Sequence, residues 1–304
     1  MAQDAGTLAA PLSPVAKSPV SFRAPSRSFW RAVGRRLSRD PVTLTCAFIL
    51  LLIVLAAIAA PWLGLDDPFK MSMIRRLKPP GTPDHLLGTD ELGRDMLARL
   101  IYGGRLSLFS GFVPVVVATA IGGFLGVVAG YLGGRWNMVI MRLVDVFYAF
   151  PSVLLAVAIS GALGAGLLNS LVSLTLVFIP SIARISESVT TQVREQDFVE
   201  AARATGASGY RIITGHVLAN VVSPILIYAS SLISVSIVLA SGLSFLGLGV
   251  SPPNAEWGLM LNTLRQAIYV APWNAVLPGV MIFVTSMCFN LMSDGLRSAM
   301  DVKA

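Results

Sequence analysis

The feature that most constrains this chain is a succession of apolar runs near twenty residues long, at 42–62, 106–132, 138–163, 168–190, 222–246 and 275–293. About 20 apolar residues wound as a helix cross roughly 30 Å of hydrocarbon. Lipid offers no partner to a bare backbone, so such runs span as helices or as a closed barrel. The barrel pattern, strands of about ten residues alternating in hydrophobicity, is absent here. The sequence therefore predicts an all-α polytopic membrane protein with six transmembrane helices. Composition agrees: 13% of the 304 residues are charged and 55% are apolar, with mean hydropathy +0.73, where a soluble domain carries about 25% charge.

Charge placement predicts orientation. Arg23, Arg27, Arg31, Arg35, Arg36 and Arg39 precede the first run, which retains that end in the cytoplasm. With six spans the carboxyl terminus returns to the same side. The cytoplasmic pieces then hold 15 Lys and Arg and the outside pieces eight, seven of them in the mixed-charge segment 63–105. Arg35-Arg36 and Ala57-Ile58-Ala59 imitate an export signal and its cleavage site, but the run is longer than the 7–15 residues of a signal, so a retained anchor is expected. The net charge of +7 follows from this retention and implies no nucleic-acid partner. Cys46 and Cys288 lie inside apolar runs without ligand spacing, so neither a disulfide framework nor a metal site is expected. Residues 1–28, rich in Ala, Ser and Pro, read as a disordered cytoplasmic tail. Residues 29–105 form the first transmembrane helix and an extracytoplasmic segment, and 106–304 a core of five transmembrane helices.

Within the second span Gly122, Gly126 and Gly130 recur every four residues and lie on one helix face, which reads as a packing seam for another helix. Pro151, Pro180 and Pro224 lie at or near span interiors, where a kink is permitted. Arg142 and Asp145, three apart on one face, read as an interfacial ion pair at the cytoplasmic edge. The two histidines, His85 and His216, fall outside the spans, and no Gly-x-Ser-x-Gly or His-Glu-x-x-His arrangement organises a catalytic group. An intramembrane enzyme and a proton-relay carrier both lack support on these residues.

The polar interruption at 191–221 is the informative segment. Asp197 and Glu200 have capping-box spacing, so a short helix starts near Phe198 and ends at Gly206. Ser208 starts a second helix that leads through His216 and Leu218 into the fifth span. Such a helix–turn–helix, with small residues Ala201 and Ala202 exposed, admits close approach of a partner surface. An amphipathic loop lying on the lipid interface remains an equal reading at this level.

The run Glu200-Ala201-Ala202-Arg203-Ala204-Thr205-Gly206, with His216-Val217-Leu218, resembles the EAA loop of ABC importer permeases. The chain from about residue 28 onward looks like the C-type permease of dipeptide and oligopeptide importers. Gly88-Thr89-Asp90-Glu91-Leu92-Gly93-Arg94-Asp95, Leu243-Ser244-Phe245-Leu246-Gly247-Leu248-Gly249, Ala271-Pro272-Trp273 and Asp294-Gly295-Leu296-Arg297 carry the same likeness. The resemblance implies the importer permease fold in a bacterial plasma membrane. Its implied partners are a B-type permease, two cytoplasmic ATPases that bind ATP and Mg, and an extracytoplasmic substrate-binding protein. It assigns ATPase coupling to Asp197, Glu200, Ala201, Ala202, Gly206, Ser208 and His216, and implies short peptides as solute, with nickel chelates, glutathione or opines as alternatives. No Gly-x-x-x-x-Gly-Lys-Ser/Thr phosphate loop occurs in the sequence, which places ATP hydrolysis on another chain. Ala219 stands where the family usually has proline, which predicts a less fixed turn into the fifth span.

Overall fold

The computed structural model describes residues 33–300; the amino-terminal tail at 1–28 lies outside them. Among the described residues, five helices are long and apolar enough to cross a membrane alone, and a bent pair taken together meets the same length and composition as a sixth candidate. The first is α1 (Pro41–Ala59), capped by Asp40, whose Oδ1 accepts from the Val42 N–H at 3.1 Å. Proline at its first position costs nothing there because that N–H has no helical partner. Arg105 closes the other end, donating to the carbonyls of Ala57 at 2.6 Å and Ile58 at 2.8 Å, so a cation meets the negative helix terminus.

Helix α2 (Met96–Leu132) is followed by α3 (Gly134–Tyr148), α4 (Ser152–Leu163), α5 (Leu167–Arg194), the short α6 (Asp197–Ala204) and α7 (Gly209–Ile212), α8 (Leu218–Phe245), α9 (Trp257–Leu264) and α10 (Pro272–Met300). Helices α2, α5 and α8 pack on one another, with α10 against α8 and α1 outside α10. Ile182, Leu174, Val115 and Ala118 are among the residues of the larger core, while Trp257, Met260, Met96 and Ile237 centre a second core where α9 meets α2 and α10. Cys46 and Cys288 are buried free thiols in a third cluster between α1 and α10.

The glycine seam lies against α5. A Cβ built on Gly122, Gly126 or Gly130 would stand 2.7, 2.3 and 2.7 Å from the carbonyl oxygens of Ile179, Ala183 and Glu187, so backbone meets backbone along three turns. The third span is not one helix. It breaks at Ala149–Pro151, and α3 and α4 stand 85° apart, because Pro151 lacks the N–H that would continue α3 and fits at the edge of a new helix instead. Pro180 and Pro224, by contrast, are accommodated inside α5 and α8.

Candidate functional site

The segment 191–221 forms two short helices standing on the ends of the bundle. Val199 of α6, Ile212 of α7 and Val217 are fully buried with Val193 of α5 and Val221 of α8. Asp197, Glu200, Ala201, Arg203, Gly206, Ser208, Tyr210 and His216 all face outward. The alternation is what an apolar stripe every three to four residues produces on a surface helix. Ala202 is half-buried, so Ala201 and Glu200 form the exposed small-residue face.

The start of α6 differs from the expected box. Gln196, not Asp197, is the cap residue and no side chain caps the helix. Asp197 and Glu200 both fall in the first turn, where their charges favour the positive helix end without closing a box. Its finish is a Schellman motif: Ala207 N–H donates to Ala202 O at 3.1 Å and Gly206 N–H to Arg203 O at 2.9 Å, with Gly206 at φ +79°. A left-handed residue at that place favours glycine. Ser208 sits just before α7 with no side-chain cap bond.

The exit into α8 is also firmer than Ala219 suggests. Residues Ile213–Val217 form a π-turn that joins α7 to α8 as one 37-residue helical unit, Gly209–Phe245. Asn220 Nδ2 donates to His216 O at 2.7 Å, satisfying a carbonyl in that wider turn. The His216 ring lies 6.5 Å from that of Phe198, which ties α6 to the π-turn. Tyr131, at the end of α2, is a residue the sequence did not single out. Arg203 stands over its ring at 5.8 Å, and Arg194 Nη1 reaches its carbonyl at 3.5 Å. The two helices are thus held by α2, α5 and α8 together.

Arg142 and Asp145 do not pair. Asp145 meets Arg184 of α5 across the helix interface, and Arg142 forms no ion pair among the described residues. The i, i+3 spacing brings the two residues onto one face of α3, but Arg184 reaches Asp145 from the neighbouring helix and also stacks on Tyr148.

At the opposite end, segment 63–105 is organised by buried charge. Asp90 Oδ1 accepts from the N–H groups of Leu92 and Arg94, each at 2.9 Å, and Oδ2 from Arg94 Nε at 2.6 Å. Arg99 Nε lies 3.2 Å from the same oxygen, and its other nitrogens reach the carbonyls of Pro68 and Asn254. Asp95 caps α2, accepting from Ala98 N–H at 2.7 Å, and meets His85 Nδ1 at 2.9 Å. Because Arg75 can only donate to His85 Nε2, at 3.2 Å, the ring proton belongs on Nδ1. Asn274 fastens the segment to α10 through the carbonyls of Lys78 and Thr89, at 2.8 and 2.7 Å. Glu256 caps α9 by accepting from Gly258 and Leu259 N–H and from Ser107 Oγ; burial pushes its carboxyl above the ordinary range while those bonds hold it down. Among the described residues no group of His, Cys, Asp and Glu could hold a metal ion.

Comparison with known proteins places this arrangement. Residues 122–303 match the family described as binding-protein-dependent transport system inner membrane component. Residues 28–80 match the N-terminal TM domain of oligopeptide transport permease C. The glutathione transport system permease protein GsiD of Escherichia coli O6:K15:H31 is 40% identical over 285 residues, 94% of this chain and 93% of that one. The probable D,D-dipeptide transport system permease protein DdpC of Escherichia coli K12 is 38% identical over 268 residues, 88% and 90% of the two chains. Among solved structures, an inward-facing form of the MetNI methionine ABC transporter is similar in fold, with TM-score 0.55 and 18% identity, covering 67% of this chain and 97% of that one.

Proposed function

Because the chain belongs to the inner-membrane permease family of binding-protein-dependent transport systems, in its oligopeptide permease C branch, we propose that it forms half of a path for short peptides and couples it to ATPases through residues 197–216. It is a multi-pass, non-catalytic subunit of a bacterial ABC importer of the peptide class, and such a permease works with ATPase and binding-protein partners. The proposed assembly adds a B-type permease and two ATPases carrying ATP and Mg on the cytoplasmic side, where both termini of this chain lie. Segment 63–105 and the stretch 247–274 then face the binding protein. The related permeases carry the names of glutathione and D,D-dipeptide transport. Both are small solutes with peptide-type amides and carboxylates, which supports a peptide solute over a metal chelate.

One observation carries the coupling assignment: α6, α7 and the π-turn after them bury Val199, Ile212 and Val217 against three long helices while presenting Glu200, Ala201 and Gly206 outward. A partner that grips the outer face moves the helices attached to the inner one. Glu200→Lys reverses a charge on the exposed face, and Gly206→Val forces a branched side chain into left-handed backbone, at about 1–2 kcal/mol. Each variant is expected to lower uptake by roughly ten-fold or more, a loss of about 1.4 kcal/mol in coupling, while membrane content stays near the parent level. Undiminished uptake in both removes the loop from the coupling path. Mild-detergent purification with identification of co-purifying chains tests the assembly: the chain recovered alone, under conditions that preserve a known importer, overturns it.

A further inference from the structure

The bend between α3 and α4 falls near the middle of the apolar run 138–163. Helix α4 has 12 residues and so rises about 18 Å. Its far end is tied to the α9 end of the bundle, with Ser160 Oγ and Gly166 N–H donating to Leu248 O at 3.2 and 3.3 Å. The break at Ala149–Pro151 therefore lies up to about 18 Å from that end, near the middle of that apolar run, a length that crosses about 30 Å of hydrocarbon. The neighbouring helix agrees. Val144 and Phe147 line a small apolar cavity with Ile179 and Pro180, and Pro180 is midway along the 28 residues of α5.

Interrupted backbone at that depth cannot face lipid, because each unsatisfied N–H or C=O there costs several kcal/mol. The Ala149 and Phe150 N–H groups are bonded within the bend to the Asp145 and Phe147 carbonyls, but the first N–H groups of α4, at Ser152, Val153 and Leu154, have no side-chain cap, and residues 149–154 are exposed on this chain. Beside the break, Arg184 and Asp145 form their ion pair with 47% and 43% of each side chain exposed. The Arg184 guanidinium lies 4.7 Å from the centre of the Tyr148 ring. A charged pair and open backbone on one membrane-facing surface mark a water-filled route rather than a lipid contact.

We propose that the α3–α4 elbow lines the aqueous solute path and that Arg184, Asp145 and Tyr148 form a charged constriction along it. The class of solute that fits carries both a carboxylate and an ammonium group, since Arg184 offers a partner to the first and Asp145 to the second. Between passages the two side chains neutralise one another, so the constriction leaves no lone charge in the membrane. This assignment deepens the transport function proposed above and rests on it.

The test is thiol accessibility in the full complex, in membrane vesicles. Ala149→Cys, Phe150→Cys and Ser152→Cys are made singly and treated either with a charged methanethiosulfonate or with a lipid-soluble maleimide. The parent chain, whose Cys46 and Cys288 are buried, is the blank, and Leu55→Cys on the exposed face of α1 is the lipid-side comparison. The charged reagent is expected to modify the elbow positions at least about ten-fold faster than Leu55→Cys, because it partitions into water and not into hydrocarbon. Modification by the maleimide alone would put the elbow against lipid, and modification by neither would put it beneath another subunit. Either result overturns the proposal. Failure of the importer assignment is read separately, from whether ATPase chains co-purify with the same labelled preparation.

Discussion

Gly126→Val is expected to remove nearly all folded protein from the membrane, whereas Gly123→Val, three residues earlier in the same helix, leaves most of it. At Gly126 a Cβ would stand 2.3 Å from the Ala183 carbonyl, 2.5 Å from the Ser186 Cβ and 2.8 Å from the Glu187 N–H nitrogen. Those atoms are backbone or fixed to it, so rotating a side chain gives no relief and α2 and α5 must separate. Overpacking a dense interior costs about 1–3 kcal/mol where neighbours can shift. Here the seam continues through Gly122 and Gly130, and separation forfeits packing along three turns, so the upper end of that range or more is expected. At Gly123 nothing lies within 4 Å, so the pair of variants separates close approach from a general intolerance of valine at a helical glycine. Fluorescence-detected size exclusion after heating reads the difference; equal stability of the two variants would show that the seam does not hold the helices together.

The second large effect is expected at Asp90. Its carboxylate and the Arg94 and Arg99 guanidinium groups are almost wholly buried, at 2%, 3% and 2% side-chain exposure. Asp90→Ala leaves two buried cations facing one another and strips the acceptor from the Leu92 and Arg94 N–H groups. Removing one member of a buried ionic cluster costs about 3–5 kcal/mol, more than a hundred-fold in the folded ratio. Asp90→Asn retains one acceptor oxygen and the shape but not the charge, so an intermediate loss is expected. Limited proteolysis between residues 63 and 95 should report the opening first. A protease-resistant Asp90→Ala variant would mean that Glu91, which accepts from Arg94 Nη2 at 2.9 Å, already neutralises the cluster.

The long helices were legible because a span must be apolar over its whole length, a local property of the chain. Their irregularities were less so. Pro151 permits a break, as Pro180 and Pro224 also do, and the choice among them depends on what surrounds each: exposed residues follow Pro151, while Pro180 is buried within α5. The partner of Asp145 was unreadable for a similar reason. Arg142 is near in sequence, but Arg184, 39 residues away, is near in the folded chain. Spacing found the short helices at 197–212 and Gly206 as their turn, since periodicity and a left-handed glycine are local signals. It missed Tyr131, which meets Arg203 only after α2 has crossed the whole bundle. The charges of segment 63–105 read as a mixed-sign loop; Asp90, Arg94 and Arg99 pair within ten residues, but what buries them is contact with distant Pro68, Asn254 and Asn274.

The unbroken run from Gly209 to Phe245 has a mechanical meaning. At 1.5 Å per residue its 37 residues make a stiff arm about 55 Å long. A tilt of only 10° about its midpoint carries each tip through an arc of roughly 5 Å, in opposite directions. The π-turn at Ile213–Val217 keeps the run helical from α7 into α8. Under the proposed coupling, a push of a few ångströms on α7 at one end of this run would displace Phe245, beside α9, by a like amount at the other.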